Sequence, residues 1–333
     1  MVLFSLKLKG ISMVETTRNL KIGIIGLGMV GEPIRRWFVE KRGFQRGTGL
    51  FCYDADPTKG YFDDYNLADI IFVSVPTPPN PDGSCNISIV ESVVAGVKGG
   101  KIIVIKSTVP PGTTEGLQKK HSQHKFLFNP EFLTESQAWE DFLKPVRQIV
   151  GYTEKSRDVA LAVLNLLPVS YYQSPWLAST YKVRGHTATE AEVIKYASNV
   201  FGAMKVSFGN MICDICEGLE SAPGYKLNVN YENVREALGA DPRIGPAWLD
   251  VRHGSYRGFG GYCFPKDLRA FMMSVEGLSK SVFGMRKYLL LKTGQFFNAL
   301  WNYNTDLLSI QNLTVEDVSR HDKEIILAKK KEI

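Results

Sequence analysis

The sequence predicts an α/β protein in which a doubly wound parallel sheet is followed by a mainly helical domain with a long central helix. Three observations predict it. Short apolar runs at 21–25, 50–53, 69–75, 101–106, 125–128 and 148–152 have strand length, with helical stretches between several of them. Strands alternating with helices imply a mostly parallel sheet covered on both faces. The first run passes straight into Gly26-Leu-Gly-Met-Val-Gly31 and then a helix over 34–41. From about Thr187 the strand runs stop, and 190–219 reads as one long helix.

The remaining elements follow the same reading. Shorter helices are expected at 231–238 and 266–274, and the tail reads as helical over 282–303 and 315–330. The expected organisation is a leader over 1–20, a dinucleotide-binding domain over 21–182, a central helical catalytic and dimerisation domain over 183–280, and a helical C-terminal tail over 281–333.

Composition narrows the function. Hydrophobic residues make up 44% of the 333-residue chain and aromatics 11%, which suits a packed core and argues against disorder. At this length two packed units are the expectation. The net charge of +6 suits phosphate ligands, but no basic stripe accompanies it. Lys329, Lys330 and Lys331 read as a solvated helix end, so nucleic acid is not an expected partner. No window has the roughly 18 continuous apolar residues of a membrane span, and Lys7 and Lys9 interrupt the apolar start. A cytoplasmic address is the expectation. The five cysteines are odd in number and scattered, which disfavours a disulfide framework. Cys213 and Cys216 form a CxxC on a helix and read as two buried thiols, with zinc or redox chemistry the weaker alternative, and no metal is expected.

The glycine motif carries the first functional reading. Gly26 permits a tight turn, Gly28 leaves room for backbone to approach a pyrophosphate, and Gly31 lets helix and strand pack closely. The amides of Met29, Val30 and Gly31 then open a helix whose positive end favours phosphate. Asp54 ends the second strand, where it can accept ribose hydroxyls and repel a 2′-phosphate, which favours NAD over NADP. The combination defines a Rossmann-type fold. Two further strand ends, Ser74-Val75-Pro76-Thr77 and Ser107-Thr108-Val-Pro, fall at the carboxyl edge where such sheets bind ligands.

The second reading rests on Gly258-Phe-Gly-Gly-Tyr-Cys263-Phe-Pro-Lys-Asp267. Glycines free the backbone before Cys263, and Lys266 and Asp267 follow it, a setting in which a thiolate nucleophile is stabilised by nearby charge. Lys195 and Asn199 stand four apart on the long helix and share a face, so both can be aimed at one oxygen. Glu131 and Glu135 would share a face as well if Pro130 opened a helical turn.

With these motifs in order, the chain resembles the UDP-glucose/GDP-mannose dehydrogenase family over roughly residues 21–270. Besides the glycine fingerprint and the cysteine block, the resemblance rests on Ser107-Thr-Val-Pro, Asn129-Pro-Glu-Phe-Leu-Thr-Glu-Ser136, Ala191-Glu-Val-Ile-Lys-Tyr-Ala-Ser-Asn199 and Asp241-Pro-Arg-Ile-Gly245. It implies an NAD-dependent nucleotide-sugar 6-dehydrogenase that oxidises a primary alcohol, that of UDP-glucose, to the carboxylate of UDP-glucuronate. Two hydride transfers would run through a thiohemiacetal and a thioester on Cys263. The resemblance gives Lys195 and Asn199 the oxyanion and a bound water, Asp267 proton transfer, and Thr108 and Glu131 places near the reacting carbon. It puts Glu135 at the nicotinamide end and Lys266 on the cofactor, alongside Gly26, Gly28, Met29, Val30, Gly31, Asp54, Val75, Pro76, Thr77, Ser107 and Thr108. For the sugar nucleotide it implies Glu131, Phe132, Leu133, Lys195, Asn199, Phe259 and Gly260, with Arg243 reaching a neighbouring subunit's substrate. A homodimer packed through the long helix is implied too.

Several features depart from the family pattern. Members normally carry a third domain that grips the uridine diphosphate, whereas 66 residues of helical character follow Asp267 here, so that domain is expected to be missing or replaced. The stretch 54–69 is short for the family, 251–257 is extra, and Asn86 and Met211 stand where an aspartate and a glutamate are usual. Two other functions remain open from the sequence: a dehydrogenase of a smaller hydroxy compound, and a non-catalytic NAD-binding scaffold.

Overall fold

The computed structural model describes residues 20–178, 182–224, 227–252 and 255–319. Most of the leader at 1–20, the terminal lysines and most of the helix expected at 315–330 lie outside them. The chain divides into two compact units, one of 1–78 with 86–195, the other of 79–85 with 196–333.

The first unit is built on a six-stranded sheet. Its strands are β1 (Ile22–Ile25), β2 (Leu50–Tyr53), β3 (Ile70–Val73), β4 (Ile102–Ile105), β5 (Lys125–Phe128) and, after the short β6 (Arg147–Ile149), β7 (Gly151–Tyr152). The order is β2-β1-β3-β4-β5-β7, parallel except for the antiparallel edge β7. β1 and β3 are buried at every position, as central strands covered on both faces must be. Helices α1 (Gly31–Arg36, continued by a π turn to Lys41), α2 (Ser88–Gly96), α3 (Thr113–Lys120), α4 (Ala138–Leu143) and α5 (Arg157–Leu164) complete it. Two apolar clusters form its core, one with Ile22, Phe38, Phe72 and Leu127, the other with Ile71, Val90, Ile103 and Phe126. The short 54–69 stretch is explained here: between β2 and β3 the chain makes only two 3₁₀ turns, Pro57–Lys59 and Tyr65–Leu67. Short pairings of β6 with β8 (Tyr172–Ser174), and of β9 (Trp176–Leu177) with β10 (Val183–Arg184), follow.

The long helix is α6, Ala188–Ser221, 34 residues. Its first two turns belong to the first unit and the rest to the second. The second unit adds α7 (Tyr231–Ala240), α8 (Phe264–Ser281), α9 (Gly284–Ser309) and α10 (Val315–Val318). Helix α8 is twice the length expected from the sequence, because the apolar face that begins at Leu268 continues through Met272 and Val275 into a core shared with Phe297 and Leu300 of α9. The extra residues near 251–257 have a structural use. Arg257 pairs with Asp214 at 2.5 Å and bonds Asn210, while Tyr303 of α9 donates to the same Asp214 at 2.8 Å, so the tail helix is pinned to α6. Cys213 and Cys216 are buried against Tyr231 and Val251, as the helical reading of the CxxC required. Among the described residues, no helix is long and apolar enough to cross a membrane.

Candidate active site

The doubly wound order places a crevice beyond the carboxyl ends of β1 and β3, where the connections leave in opposite directions. Gly26–Gly31 leaves β1 there. Gly26 has φ +85°, and a Cβ on it would sit 2.6 Å from the Ser74 carbonyl. At Gly31 a Cβ would lie 1.8 Å from the Gly26 oxygen, so only glycine lets α1 start this close to the strand. Nothing lies within 4 Å of a Cβ placed on Gly28, which leaves the crest of the turn open to a ligand. These three environments fit a bound pyrophosphate.

Asp54 follows β2 and is nearly buried. Its carboxylate accepts from the Leu27 amide at 2.6 Å, the Asp56 amide at 2.9 Å and the Lys59 ammonium at 3.0 Å. Burial works to raise its pKa, but the amides and Lys59 outweigh burial and hold it below the usual aspartate value. An ionised acceptor at this strand end suits ribose hydroxyls and opposes a 2′-phosphate.

The loops after β3 and β4 meet. The Ser107 hydroxyl donates to the Val75 carbonyl at 2.7 Å, and Thr77 donates to the Thr108 carbonyl at 2.9 Å. Val75, Pro76, Thr77, Ser107 and Thr108 therefore form one wall at the carboxyl edge, as the sequence reading placed them.

Glu131 and Lys195 are brought together across 64 residues. The Lys195 ammonium donates to the Glu131 carboxylate at 2.6 Å and to the Glu131 carbonyl at 2.8 Å, with both side chains more than nine-tenths buried. Burial opposes the charge on Glu131, yet Lys195 and the Leu133 amide, which donates at 2.8 Å, keep it below the ordinary glutamate value. The helical turn expected at Pro130 does not form. Residues 130–134 are irregular and a 3₁₀ turn begins only at Glu135, so Glu131 and Glu135 do not share a helical face. The Glu131 side chain folds back onto Leu133 and across to Lys195, and those bonds stabilise an open loop in place of a helix. Phe132 lies under the Arg147 guanidinium at 3.7 Å. A cavity of about 370 Å³ is lined by Lys106, Glu131, Phe132, Leu133, Arg147 and their neighbours.

In the second unit Cys263 is half-buried at the N-cap of α8. Asp267, one turn further on, is almost wholly buried. It accepts from the Asn199 amide at 2.5 Å and pairs with the Lys266 ammonium at 2.5 Å. Burial lowers the pKa of Lys266, but Asp267 more than compensates and holds the ammonium charged. Asn199 lies one turn after Lys195 on α6, so the two share a face of that helix. Phe259 is buried, and both its amide and carbonyl are bonded to Asn304 of α9. Gly260 packs against the Tyr256 hydroxyl and the Val318 backbone. Arg243 is exposed and chelated by Asp241 at 2.7 Å.

Two buried charged groups escaped the sequence reading. Lys106 was assigned to the end of a strand, and Glu192 to the long helix. Neither segment carries a sequence signal that marks the position as a buried charge, and sequence alone does not say what they meet. In the structure Glu192 accepts from the Gly112 amide, the Thr114 amide and the Thr114 hydroxyl, at 2.5, 2.8 and 2.6 Å. Burial pushes its pKa up to about 7 despite these donors.

The first unit is thus a dinucleotide-binding Rossmann domain, with its crevice and glycine turn after β1 and an ionised aspartate after β2. Residues 56–165 match the NAD-binding domain of the UDP-glucose/GDP-mannose dehydrogenase family, and 189–284 match that family's central domain. A UDP-glucose 6-dehydrogenase of Pseudomonas aeruginosa is 33% identical over 72% of this chain and 53% of that protein. One from Rickettsia typhi is 34% identical over 66% of this chain and 48% of that protein. Among solved structures, a UDP-glucose dehydrogenase from Pyrobaculum islandicum superposes with a TM-score of 0.61 at 30% identity, covering 83% of this chain and 68% of that one. The chain belongs to the UDP-glucose/GDP-mannose dehydrogenase family. It spans about half the length of the curated relatives it matches, and its cofactor is NAD.

Proposed function

We propose that the protein is an NAD-dependent nucleotide-sugar 6-dehydrogenase that oxidises the primary alcohol of UDP-glucose to the carboxylate. The observation that carries this reading is the cluster at the start of α8, where Cys263 occupies the N-cap position and Asp267, one turn on, holds Lys266 and Asn199. The N-cap position puts Cys263 at the positive end of an 18-residue helix. The relatives named UDP-glucose 6-dehydrogenase support the choice of substrate.

The residues divide the work as follows. NAD would be held by Gly26, Gly28, Met29, Val30, Gly31, Asp54, Val75, Pro76, Thr77 and Ser107, with Glu135 at the nicotinamide end and Lys266 on the cofactor, and would supply the hydride acceptor, twice. Thr108 and Glu131 orient the primary alcohol, beside the Phe132 and Leu133 backbone that holds the sugar. After the first oxidation the Cys263 thiolate adds to the aldehyde carbon, and the carbonyl oxygen becomes an alkoxide. Lys195 and Asn199 donate to that oxygen, a stabilisation typically worth about 3 kcal/mol per donor. The second hydride departure leaves a thioester. Asp267 takes a proton from water, which attacks the acyl carbon and releases the carboxylate and the Cys263 thiol. Covalent capture keeps the aldehyde on the protein while the reduced cofactor exchanges. Phe259, Gly260 and the partner's copy of Arg243 complete the substrate contacts in this reading.

A second copy of the chain is expected along α6. Phe201, Phe208, Met211, Ile215 and Leu219 are exposed at spacings of seven, three, four and four, which puts them on one stripe of the helix.

The test is NADH formation across a panel of UDP- and GDP-sugars, with the protein's mass in solution measured in parallel. UDP-glucose should yield two NADH per sugar, and Cys263→Ser should yield no carboxylate. Tight NAD binding without NADH from any nucleotide sugar would replace this reading with a scaffold, and turnover of free hydroxy acids would replace it with a small-substrate dehydrogenase. A monomeric mass would remove the second copy.

A further inference from the structure

Lys106 follows β4 directly, its own amide bonded to the Val73 carbonyl at 2.8 Å. Its side chain is 3% exposed, and it makes no ion pair among the described residues. The ammonium donates instead to the Asn129 side-chain oxygen at 2.7 Å and to the Asn129 carbonyl at 3.3 Å. Asn129 is held from its other sides as well. Its amide reaches the Ile105 carbonyl at 2.9 Å, and its side-chain nitrogen reaches the Gln148 oxygen at 2.9 Å and the Ile149 carbonyl at 2.6 Å. Two residues beyond Asn129 stands Glu131, whose carbonyl and carboxylate both hold Lys195.

An amine in this position is costly. Burial drives its pKa down to about 7; the Glu131 carboxylate works against that, and the like charge of Lys195 takes back part of what Glu131 restores. Lys144, Arg147 and Asp141 line the same cavity without pairing to it. An apolar side chain of the same length would fill the space more cheaply. What lysine adds is two donors at the root of the loop that carries Glu131.

We infer that Lys106 is a positioning residue for the proposed oxidation, tying Asn129 to the sheet so that Glu131 presents the Lys195 amine at the reacting carbon. The inference rests on the function proposed above. The Lys195 ammonium bonds both the carbonyl and the carboxylate of Glu131, so a shift of the 129–131 backbone moves these two acceptors together. Misplacement of a catalytic group by about 1 Å costs on the order of a hundredfold in rate.

The test compares wild type with Lys106→Met and Lys106→Arg. In Lys106→Met, kcat for NADH formation should fall by about tenfold to a hundredfold, with KM for NAD changed by less than about twofold. Its thermal midpoint should stay at or above that of wild type, because a buried amine has been removed. Hydrogen exchange at the Leu133 amide, which donates to Glu131, should quicken. Lys106→Arg keeps donors at the site and should recover part of kcat. An unchanged kcat overturns the inference. So does a fall in kcat, NAD affinity and thermal midpoint together, which marks a merely structural lysine. If wild type forms no NADH at all, the proposed function fails, and exchange at Leu133 still decides the tether: unchanged protection in Lys106→Met would overturn it.

Discussion

Glu131 and Glu192 are both buried carboxyl groups of the first unit, the first bonded by two donors and the second by three. The Glu131 carboxylate meets the Lys195 ammonium and the Leu133 amide, and the same ammonium also reaches the Glu131 backbone carbonyl. Glu192 meets two amides and a hydroxyl at equally short range. Glu131 is held below the ordinary glutamate value, whereas Glu192 is pushed up to about 7. Glu192 has more donors at similar distances, so the difference lies in charge. Neutral donors at the Gly112–Thr114 turn do not cancel the desolvation of a carboxylate, and a full positive charge at 2.6 Å does. The contrast also separates their uses. A carboxylate that stays ionised can clamp and orient Lys195, while one that titrates near neutrality ties α6 to the turn before α3 and is suited to little else.

The largest expected effect breaks the contrast outright. Lys195→Met removes the ammonium and leaves Glu131 buried among neutral donors, as Glu192 is now. Stripping one partner from a buried pair costs about 3–5 kcal/mol. Urea unfolding should show that loss, and Glu131→Gln added to Lys195→Met should recover most of it. A loss under about 1 kcal/mol would mean that water reaches the pair and that its burial is not what distinguishes it from Glu192.

How much of this was legible in the sequence depends on the range of the contact. The sheet was, because strand and turn signals are local: the six apolar runs fall on β1 to β5 and on β6 with β7. Gly26, Gly31 and Asp54 were legible for the same reason, since strand, turn and acid follow in fixed order. The Lys266–Asp267 pair joins neighbours in the chain, and its charge partnership could be read off directly. Glu131 with Lys195 spans 64 residues, and only the family resemblance put those two near the same carbon. Lys106 with Asn129 spans 23 and Glu192 with Thr114 spans 78, and no pattern in either segment announces them. The turn expected at Pro130 failed because proline permits a helix start without demanding one, and the side-chain bonds of Glu131 decided against it.

A smaller effect follows from Glu192 itself. Its folded pKa, about 7, lies above the ordinary 4.5, so the folded state holds a proton that the unfolded chain releases. The stabilisation is complete below pH 4.5 and is lost as pH rises through 7. At about 1.4 kcal/mol per unit, the shift corresponds to roughly 3 kcal/mol across that window. Glu192→Gln cannot titrate. The difference between the wild-type and variant curves of unfolding free energy, measured from pH 4.5 to pH 8, should carry that slope. Parallel curves would show that Glu192 is already ionised and that the two carboxylates do not differ.

The smallest effect sharpens the comparison from the acid side. Because the folded pKa of Glu131 is depressed, its contribution is present above the ordinary value of 4.5 and disappears as pH falls through the folded value. Glu131→Gln should therefore flatten part of the stability loss below pH 4.5, while leaving the slope from pH 4.5 to pH 8 untouched. The two glutamates then act in separate windows with opposite signs. Acid weakens the clamp on Lys195, and alkali weakens the seat of α6 on the Gly112–Thr114 turn. A Glu131→Gln curve that ran parallel to wild type below pH 4.5 would mean that Lys195 loses nothing when Glu131 takes up a proton. The clamp would then rest on the Glu131 carbonyl, 2.8 Å from the ammonium and indifferent to pH, and the backbone of 129–131 would matter more to the position of Lys195 than the carboxylate does.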